Sequence, residues 1–394
     1  MASAAADDDD GAYRNAIRLL SEGRIEEARE AIETVIARQP EHAGAWLDLA
    51  ILQCGMGFAA EAETLFEQIL TRFDPPPAIR DLIRRIREQG CQRQEIRSSW
   101  ARLQFRLGRG YDSNANQGAL DPYFSIMGDD GLIQLPLMPE YRPHSDSFTQ
   151  LGLEAAHTEA DTGTLFHFQL HARQNDRISS YNQTTGVIGV EQPLRLGDWE
   201  TRWGGNLGAT WLGGRLYQKQ VNAYAQIVPP WPELPAGWRF SVLSDWSRLW
   251  YPTLDRFDAH LVRTQATLGF QGQDTQFLGA LGATRDLGES RRPGGDKRGW
   301  TSSLILRQRL DARLFGEFSW SHQNWRGEKA YLPGLINDRR KQHANLWRAA
   351  ATYALTREQS VTLEYRFFDN KENISLFEFR SRQIMLNWQY DFGR

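Results

Sequence analysis

The sequence predicts an α+β multidomain protein in which a short α-helical repeat domain precedes a closed antiparallel transmembrane β-barrel of about 14 strands. Three observations lead to this prediction. Apolar residues follow a helical period up to residue 97 and a period of two from residue 98 onward. The alternating runs often reach the roughly 9 to 11 residues that a membrane-crossing strand needs. The 14 Trp, 12 Tyr and 19 Phe need a surface on which to lie, and the outside of a membrane barrel provides one.

Charge and hydropathy narrow the classes of protein to which the chain can belong. In its 394 residues, 46 Lys and Arg oppose 49 Asp and Glu, which leaves a formal net charge of -3. This balance creates no positive field that would attract nucleic acid, so we expect no nucleic-acid partner. No apolar stretch approaches the roughly 18 residues of a membrane helix, but a barrel hides its lipid-facing residues by alternating them with polar ones.

The chain begins with a segment that we predict to be a flexible tail, residues 1–12. It has neither the basic region nor the apolar region of a signal peptide, so no leader is predicted from the chain as written. Ala2, Ser3 and Ala4 nevertheless have the small-x-small form of a cleavage site. The sequence therefore leaves the true signal peptide open.

Residues 13–97 are predicted to form a tetratricopeptide-like helical domain. Its residues match one another at an offset of 34 positions, which is the period of the tetratricopeptide repeat. The matching pairs are Gly23/Gly57, Glu27/Glu61, Ala28/Ala62 and Ile32/Phe66. The small residues at 28 and 62 allow paired helices to approach closely. After the prolines at 75–77, residues 78–97 are predicted to form a capping helix that leads into the next domain.

Four residues of this domain carry alternatives that the sequence leaves open. Cys54 and Cys91 are the only cysteines. They could bridge the repeat to its cap in an oxidising compartment, or both could be free, buried thiols. Tyr13 and Trp46 fit either the packing core of the repeat or a groove that binds a peptide. We retain both as candidate substrate-binding residues.

Residues 98–394 are predicted to form the barrel, and the last strand shows the pattern best. One of its faces is wholly apolar and aromatic, whereas the other is nearly all polar. The first face consists of Ile384, Leu386, Trp388, Tyr390 and Phe392, and the second of Met385, Asn387, Gln389 and Asp391. About 14 such runs occur, and an even number is typical of bacterial outer-membrane barrels. The aromatic last strand predicts recognition by the barrel assembly machinery.

The connections between the strands fall into two sets. One set is short or moderate in length: residues 160–163, 196–198, 229–235, 272–275, 310–312 and 356–358. The other set is mostly longer and more polar: residues 112–146, 175–182, 287–298, 324–342 and 369–373. Outer-membrane barrels have short turns at the periplasmic rim and longer loops outside. The asymmetry predicts the outer membrane of a Gram-negative bacterium, surrounding lipids as partners, and a periplasmic helical domain.

The first long connection opens with the segment Tyr111-Asp112-Ser113-Asn114-Ala115-Asn116. Asn and Asp tolerate left-handed backbone and bond to nearby main chain, so a turn at the barrel rim explains the segment. A loop that enters the lumen or meets a substrate explains it as well. Tyr111, Asp112, Asn114 and Asn116 are therefore further candidate substrate-binding residues.

A search for catalytic groups gives no convincing site. His167 and His171 share an inward face, but four residues along a strand separate them by about 13 Å, too far to share a metal or a proton. His157 and His322 fall on outward positions near strand ends. No nucleophile elbow, zinc-binding helix motif or phosphate-binding loop occurs. We therefore expect no enzyme activity, no cofactor and no metal.

The chain resembles the surface lipoprotein assembly modulators. The resemblance rests on two repeat units, the segment Pro75 to Ile83, and a first strand that runs into Tyr111 to Asn116. It implies a periplasmic repeat domain, an outer-membrane barrel of 14 strands, and delivery of surface lipoproteins or related secreted proteins across the outer membrane. The helical domain is short for that family.

Two other functions compete with this interpretation. Polysaccharide export porins also join tetratricopeptide repeats to a barrel, although with more repeats and a lumen rail of aromatic residues or of one charge sign. An outer-membrane lipid-modifying enzyme would use groups such as His167 and His171. The sequence leaves open the client, the oligomeric state and whether the lumen is open or plugged.

Overall fold

A computed structural model describes residues 13–20, 25–56, 58–91, 100–128, 131–230 and 234–392. The predicted tail, residues 1–12, and Gly23 and Gly57 of the repeat pattern lie outside these ranges. The chain divides into two compact units, residues 1–98 and 99–394.

The first unit is helical, as predicted. Its helices are α1 (residues 13–20), α2 (Ile25–Arg38), α3 (Ala43–Gly55), α4 (Ala59–Arg72) and α5 (Pro77–Gln89). Ala28 and Ala62 have no exposed surface, which confirms that small residues occupy the close contacts of the repeat. None of the helices in the described residues combines the length and the apolar character that crossing a membrane requires.

The capping helix is shorter than the sequence predicts. It ends at Gln89, and Gly90 follows it with φ +74, a conformation that favours glycine and terminates a helix. Residues 92–97 of the predicted helix lie outside the described ranges. The structure also decides between the two cysteine alternatives, because Cys54 of α3 and Cys91 after α5 form a disulfide. The bond ties the repeat to its cap.

The second unit is a closed antiparallel barrel of 14 strands, which confirms the predicted fold. The barrel strands are β1 (Trp100–Asp112), β4 (Asp146–Thr158), β5 (Leu165–Asn175), β6 (Gln183–Leu196), β7 (Trp199–Leu212), β8 (Arg215–Val228), β9 (Trp238–Trp250), β10 (Ala259–Gln271), β11 (Thr275–Gly288), β12 (Lys297–Arg309), β13 (Leu314–Leu332), β14 (Ile336–Ala354), β15 (Gln359–Glu372) and β16 (Phe379–Phe392). A separate hairpin, β2 (Tyr123–Gly128) and β3 (Gly131–Pro136), lies in the first long connection.

Each barrel strand pairs with its neighbours in the chain, and β1 closes the barrel against β16. That closing register runs from Leu103 opposite Phe392 to Asp112 opposite Gln383. Closure lets the strands satisfy one another's backbone hydrogen bonds, which a lipid environment demands.

The alternating faces of the strands separate lipid from lumen. In β16, Ile384, Leu386 and Trp388 are exposed on the outside, whereas Met385 and Asn387 are buried on the inside. Directly opposed residues of paired strands point to the same side of the sheet. The register therefore assigns one outward and one inward face to each of the remaining barrel strands. The apolar exterior and polar interior are those of an outer-membrane barrel.

The two rims differ, with exceptions to the predicted pattern. We call the rim at residues 159–164, 197–198, 272–274, 310–313 and 355–358 the short-turn rim, and the opposite one the long-loop rim. The long-loop rim includes one tight connection between β7 and β8, in which Gly213 and Gly214 adopt φ +55 and +76. Residues that favour positive φ are typical of such two-residue hairpin turns.

The prediction of a loop over residues 324–342 is wrong. Strand β13 continues to Leu332 and β14 begins at Ile336, so only residues 333–335 form the turn. The segment is polar because the hairpin projects beyond the apolar belt, where both of its faces meet water. The loss of apolar alternation in this segment therefore marks the end of the apolar belt of the barrel. It does not mark the end of strand β13. The connection placed at 369–373 lies instead at 373–378, because β15 runs to Glu372.

Candidate functional site

The inward face of the barrel carries charges of both signs that neutralise one another. On the wall formed by β12 to β15, Arg307, Glu317, Arg348, Glu364 and Arg366 form a continuous chain of ion pairs, which we call the lumen ladder. Arg348 is at its centre and bonds both carboxylates, with 2.6 Å between its Nη2 and Oε2 of Glu364. Glu364 is only 4% exposed although it faces the lumen.

The lumen ladder determines the electrostatic character of this wall. Positive and negative groups alternate within hydrogen-bond distance, so the field of each group is largely cancelled by its neighbour. A passing chain would meet hydrogen-bond donors and acceptors in turn and no track of a single sign.

A second polar cluster joins the first and last strands. The carboxylate of Asp391 accepts hydrogen bonds from Arg102 at 2.9 Å, from Gln104 at 2.7 Å and from Gln389 at 3.1 Å. Arg106 of β1 also donates to Gln389 of β16 at 3.1 Å. These side-chain bonds add to the backbone ladder and secure the β1/β16 seam from inside.

Closer to the long-loop rim than this cluster, side chains of β4 and β16 meet across β1. Gln150 of β4 donates to Asn387 of β16, and the two side chains cover Gly108. A Cβ at Gly108 would overlap the Asn387 side chain and lie 3.0 Å from Cγ of Gln150. Absence of a side chain at Gly108 therefore leaves room for the hydrogen bond between Gln150 and Asn387.

The structure places Asp112 at the inner end of the seam on the long-loop rim. It is 2% exposed and accepts from Ser381 at 2.6 Å, from Gln383 at 2.9 Å and from Arg173 at 2.8 Å. Its carboxylate also accepts from the backbone N–H of Asn114 at 2.9 Å. Asp112 thereby joins β1, β5 and β16.

The two asparagines that follow bind the main chain of the first long connection. Asn114 donates to the carbonyls of Gly118 at 2.9 Å and Arg380 at 3.0 Å. Asn116 donates to the carbonyl of Arg142 at 2.7 Å and accepts from the backbone N–H of His144 at 2.8 Å. These contacts are those of an ordered rim turn.

Tyr111 differs from these three residues. It is 45% exposed and lies on the outward face of β1. The motif therefore contributes three buried polar anchors and one outward aromatic ring. Contact of these four residues with a substrate stays a prediction.

The two candidates in the helical domain lie in different surroundings. The Tyr13 hydroxyl donates to Asp48 at 2.5 Å, and its ring lies 4.4 Å from that of His42. Burial, the hydrogen bond to Asp48 and its charge raise the pKa of Tyr13 to about 12. Trp46 is half-buried and donates from Nε1 to the carbonyl of Pro40 at 2.9 Å. Substrate binding by either residue stays a prediction.

The four histidines considered from the sequence lie on the faces predicted for them. His157 is near the end of β4, as predicted, whereas His322 lies in the middle of β13 and not near a strand end. His167 and His171 face the lumen from β5, opposite Ala156 and Gly152 of β4. His157 and His322 face outward, and His322 contacts Trp300 with ring centroids 4.7 Å apart. Within the described ranges, no three His, Cys, Asp or Glu side chains come together in a way that could hold a metal ion.

Alternation along β15 is enough to predict that Glu364 and Arg366 face the lumen, but not that they link to Arg348 and Glu317. Alternation within a strand shows which residues face inward, but it does not show which residues of two strands lie opposite each other. That register depends on backbone pairing.

Comparison with known proteins supports the helical repeat. Residues 19–86 match the tetratricopeptide repeat family. No curated protein matches the chain.

Solved structures resemble the chain distantly. The outer membrane channel DcaP of Acinetobacter baumannii aligns at 11% identity with a TM-score of 0.39, covering 75% of this chain and 97% of that one. A bacterial polysaccharide outer membrane secretin aligns at 9% identity and 0.41, with coverage of 75% and 98%. A Pseudomonas aeruginosa FadL homologue aligns at 10% identity and 0.41, with coverage of 75% and 90%. Similarities this weak carry no information about function.

Proposed function

We propose that the protein is an outer-membrane translocation accessory that delivers a surface lipoprotein or a related secreted protein to the cell surface. The observation that carries this proposal is the union of a helical repeat domain with a 14-stranded barrel whose lumen charges are paired with one another. The repeat recruits a client, and the barrel provides the route or the docking surface at the membrane.

The lumen favours a protein client over a charged polysaccharide. An acidic glycan would be guided best by unpaired cations along the wall. In the lumen ladder, each Glu instead bonds two Arg side chains. Mixed donors and acceptors suit a polypeptide, whose backbone offers both kinds of group.

The orientation follows from the strand that the helical domain precedes. Strand β1 begins at the short-turn rim, and outer-membrane barrels place short turns in the periplasm. We propose that residues 13–91 lie in the periplasm, where a client arrives. The disulfide between Cys54 and Cys91 fits that oxidising compartment.

A deletion tests the division of labour between the two units. We expect removal of residues 13–97, which takes out both cysteines, to leave a barrel that inserts but no longer displays its client. Surface biotinylation of intact cells should then lose a lipoprotein whose total amount in the cell is unchanged. Deletion of residues 2–12 is the matched control and should preserve display. Heat-modifiable migration on gels confirms insertion of both variants.

Three results would count against this proposal. Unchanged display after deletion of residues 13–97 would remove the recruitment role. Loss of secreted polysaccharide with all surface lipoproteins in place would favour glycan export. A changed lipid A pattern in a H167A/H171A variant would instead favour the lipid-modifying enzyme.

A further inference from the structure

The outer wall of the barrel carries an unusual row of cations near the long-loop rim. Arg285 of β11 lies directly opposite Arg298 of β12, which lies opposite Arg326 of β13, which lies opposite Lys341 of β14. All four side chains are exposed. We call these four residues the cation row.

The outward direction of the cation row follows from the residues that share its face. Arg285 shares its face with Leu281, Arg298 with Trp300, and Arg326 with Phe318, and these three apolar residues are exposed on the barrel exterior. The row therefore lies outside the lumen and apart from the lumen ladder.

Repulsion makes this arrangement unfavourable in isolation. Directly opposed residues of antiparallel strands have Cβ atoms about 5 Å apart, and like charges in such pairs destabilise a sheet. The cation row contains three consecutive pairs of this kind and spans roughly 14 Å across four strands. A bound anion would relieve the repulsion within so dense a positive charge.

Elsewhere on the same rim, three outward arginines have acidic partners. Arg109 bonds Asp176, Arg248 bonds Glu289 at 3.2 Å, and Arg380 bonds Asp369 at 2.7 Å. Among the residues that the structure describes, no ion pair includes a member of the cation row. Three acids lie within two residues of the row along the chain: Asp286, Asp296 and Glu328. Asp286 pairs with Arg292, and Asp296 accepts from the backbone N–H of Gly288.

The next row of outward residues, two positions further from the long-loop rim along each strand, indicates the depth of the cation row in the membrane. It contains Trp300, Asn324, His343 and Lys371, again directly opposite one another. Trp300 contacts His322, and Trp320 stacks on the same histidine with centroids 6.2 Å apart. Aromatic residues of this kind mark the membrane interface. The cation row lies about 6 Å beyond them, at the level of lipid headgroups.

We propose that the cation row binds the phosphate groups of an anionic glycolipid in the leaflet around the long-loop rim. Guanidinium groups form paired, charge-assisted hydrogen bonds to phosphate, and the ammonium of Lys341 adds a point charge. The acyl chains of the same lipid would lie against the apolar wall below Trp300. Bound phosphate turns the repulsion within the row into attraction, so the lipid stabilises this side of the barrel.

A binding experiment on the full chain in detergent tests the proposal. The probe is lipid A with two phosphates, followed by native mass spectrometry. The test variant is R285Q/R298Q/R326Q/K341Q. The matched control is K219Q, because Lys219 is an exposed, outward cation on the same rim that lies opposite Ala209 and Trp250 and has no opposed cation. We expect wild type and K219Q to bind equally, and the affinity of the fourfold variant to fall at least about tenfold.

Two further arms identify the source of the phosphate. Dephosphorylated lipid A should bind wild type and the fourfold variant equally weakly, and inorganic phosphate should not compete at millimolar concentration. Equal binding of diphosphorylated lipid A by wild type and the fourfold variant would overturn the proposal. Full competition by inorganic phosphate would also overturn it, since the row would then bind a free ion.

A single substitution keeps the test valid if the fourfold variant fails to fold. We expect R298Q to raise the temperature midpoint of barrel unfolding in lipid-free detergent, because it relieves repulsion from Arg285 and Arg326. It should also reduce the increase in midpoint that lipid A produces. If Arg298 only stabilised the fold, R298Q would lower the midpoint both without lipid and with lipid A. That result would overturn the proposal.

Discussion

At the scale of single residues, packing at the seam between the first and last strands depends on Gly108, a position without a side chain. Gly108 lies beneath the hydrogen bond that joins Gln150 to Asn387. Its φ is ordinary, so its role is to provide space and not an unusual backbone conformation. The close contact of β4 and β16 side chains across β1 therefore depends on local packing.

We expect Gly108→Ala to lower the stability of the barrel by about 1 to 3 kcal/mol, because the new methyl group overlaps Asn387. Gly186→Ala is the matched control, since its Cβ would meet only Cδ1 of Leu170 at 3.9 Å. The temperature at which the folded band disappears in unheated gels measures the effect. Equal behaviour of the two variants would contradict the packing role of Gly108.

Tyr13 provides a residue-scale prediction of pH dependence. Its folded pKa of about 12 exceeds the ordinary value of 10.0, first because of burial and then because of the bond to Asp48. A raised folded pKa stabilises the domain below pH 10.0, and this contribution is lost as the pH rises towards about 12.

The corresponding measurement compares wild type with Tyr13→Phe. We expect hydrogen exchange in α1 and α3 of wild type to accelerate between pH 10 and about 12 relative to that in the phenylalanine variant, after correction for intrinsic rates. Parallel curves for the two proteins would show that the Tyr13–Asp48 bond does not couple to folding.

At the scale of secondary-structure elements, the helical unit has few helices and relies on a covalent tie. Two buried clusters form its core, one around Ile32 and Leu49 and the other around Phe66 and Ile83. The disulfide lies beside the second cluster and closes a segment of 37 residues. It therefore restrains α4 and α5 against α3.

We expect reduction of this disulfide to destabilise the helical unit by roughly 3 to 4 kcal/mol, the effect of losing a cross-link over this chain length. Hydrogen exchange of the full chain should speed up in α4 and α5 and stay constant in the barrel strands. A C54S/C91S variant serves as control and should not respond to reductant. Unchanged exchange after complete reduction would contradict the stabilising role of the bond.

At the scale of the whole molecule, closure of the sheet and the unequal rims determine how the chain meets the membrane. The first long connection, residues 113–145, contains β2 and β3 at the long-loop rim. On this rim, the exposed fraction of Leu132 is 73%. A chain inserted with this rim outward presents that connection to the medium.

We expect protease added to intact cells to cut within residues 113–145 and to leave residues 13–91 intact until the outer membrane is breached. The reason is that the helical unit precedes a strand that starts at the short-turn rim. The folded barrel should also migrate faster on gels when unheated. Cleavage of the helical unit in whole cells would invert the proposed topology.

The sequence by itself determined the two units, the number of barrel strands and the face on which each strand residue lies. These properties follow from local geometry, because side chains alternate along a strand and repeat every 3.6 residues along a helix. The tetratricopeptide spacing and the lumen position of Glu364 were predictable for the same reason. The polar hairpin at residues 324–342 was not, since its pattern shows where the membrane ends and not where pairing ends.

Only the tertiary structure decided which residues of neighbouring strands lie opposite each other. A shift of one residue in register would move every side chain of a strand to the other face. Backbone pairing over the whole closed sheet determines the register that aligns Arg298 with Arg285 and Arg326. The lumen ladder, the covered Gly108 and the cation row each combine residues distant in sequence. Their positions depend on closure, which no local pattern encodes.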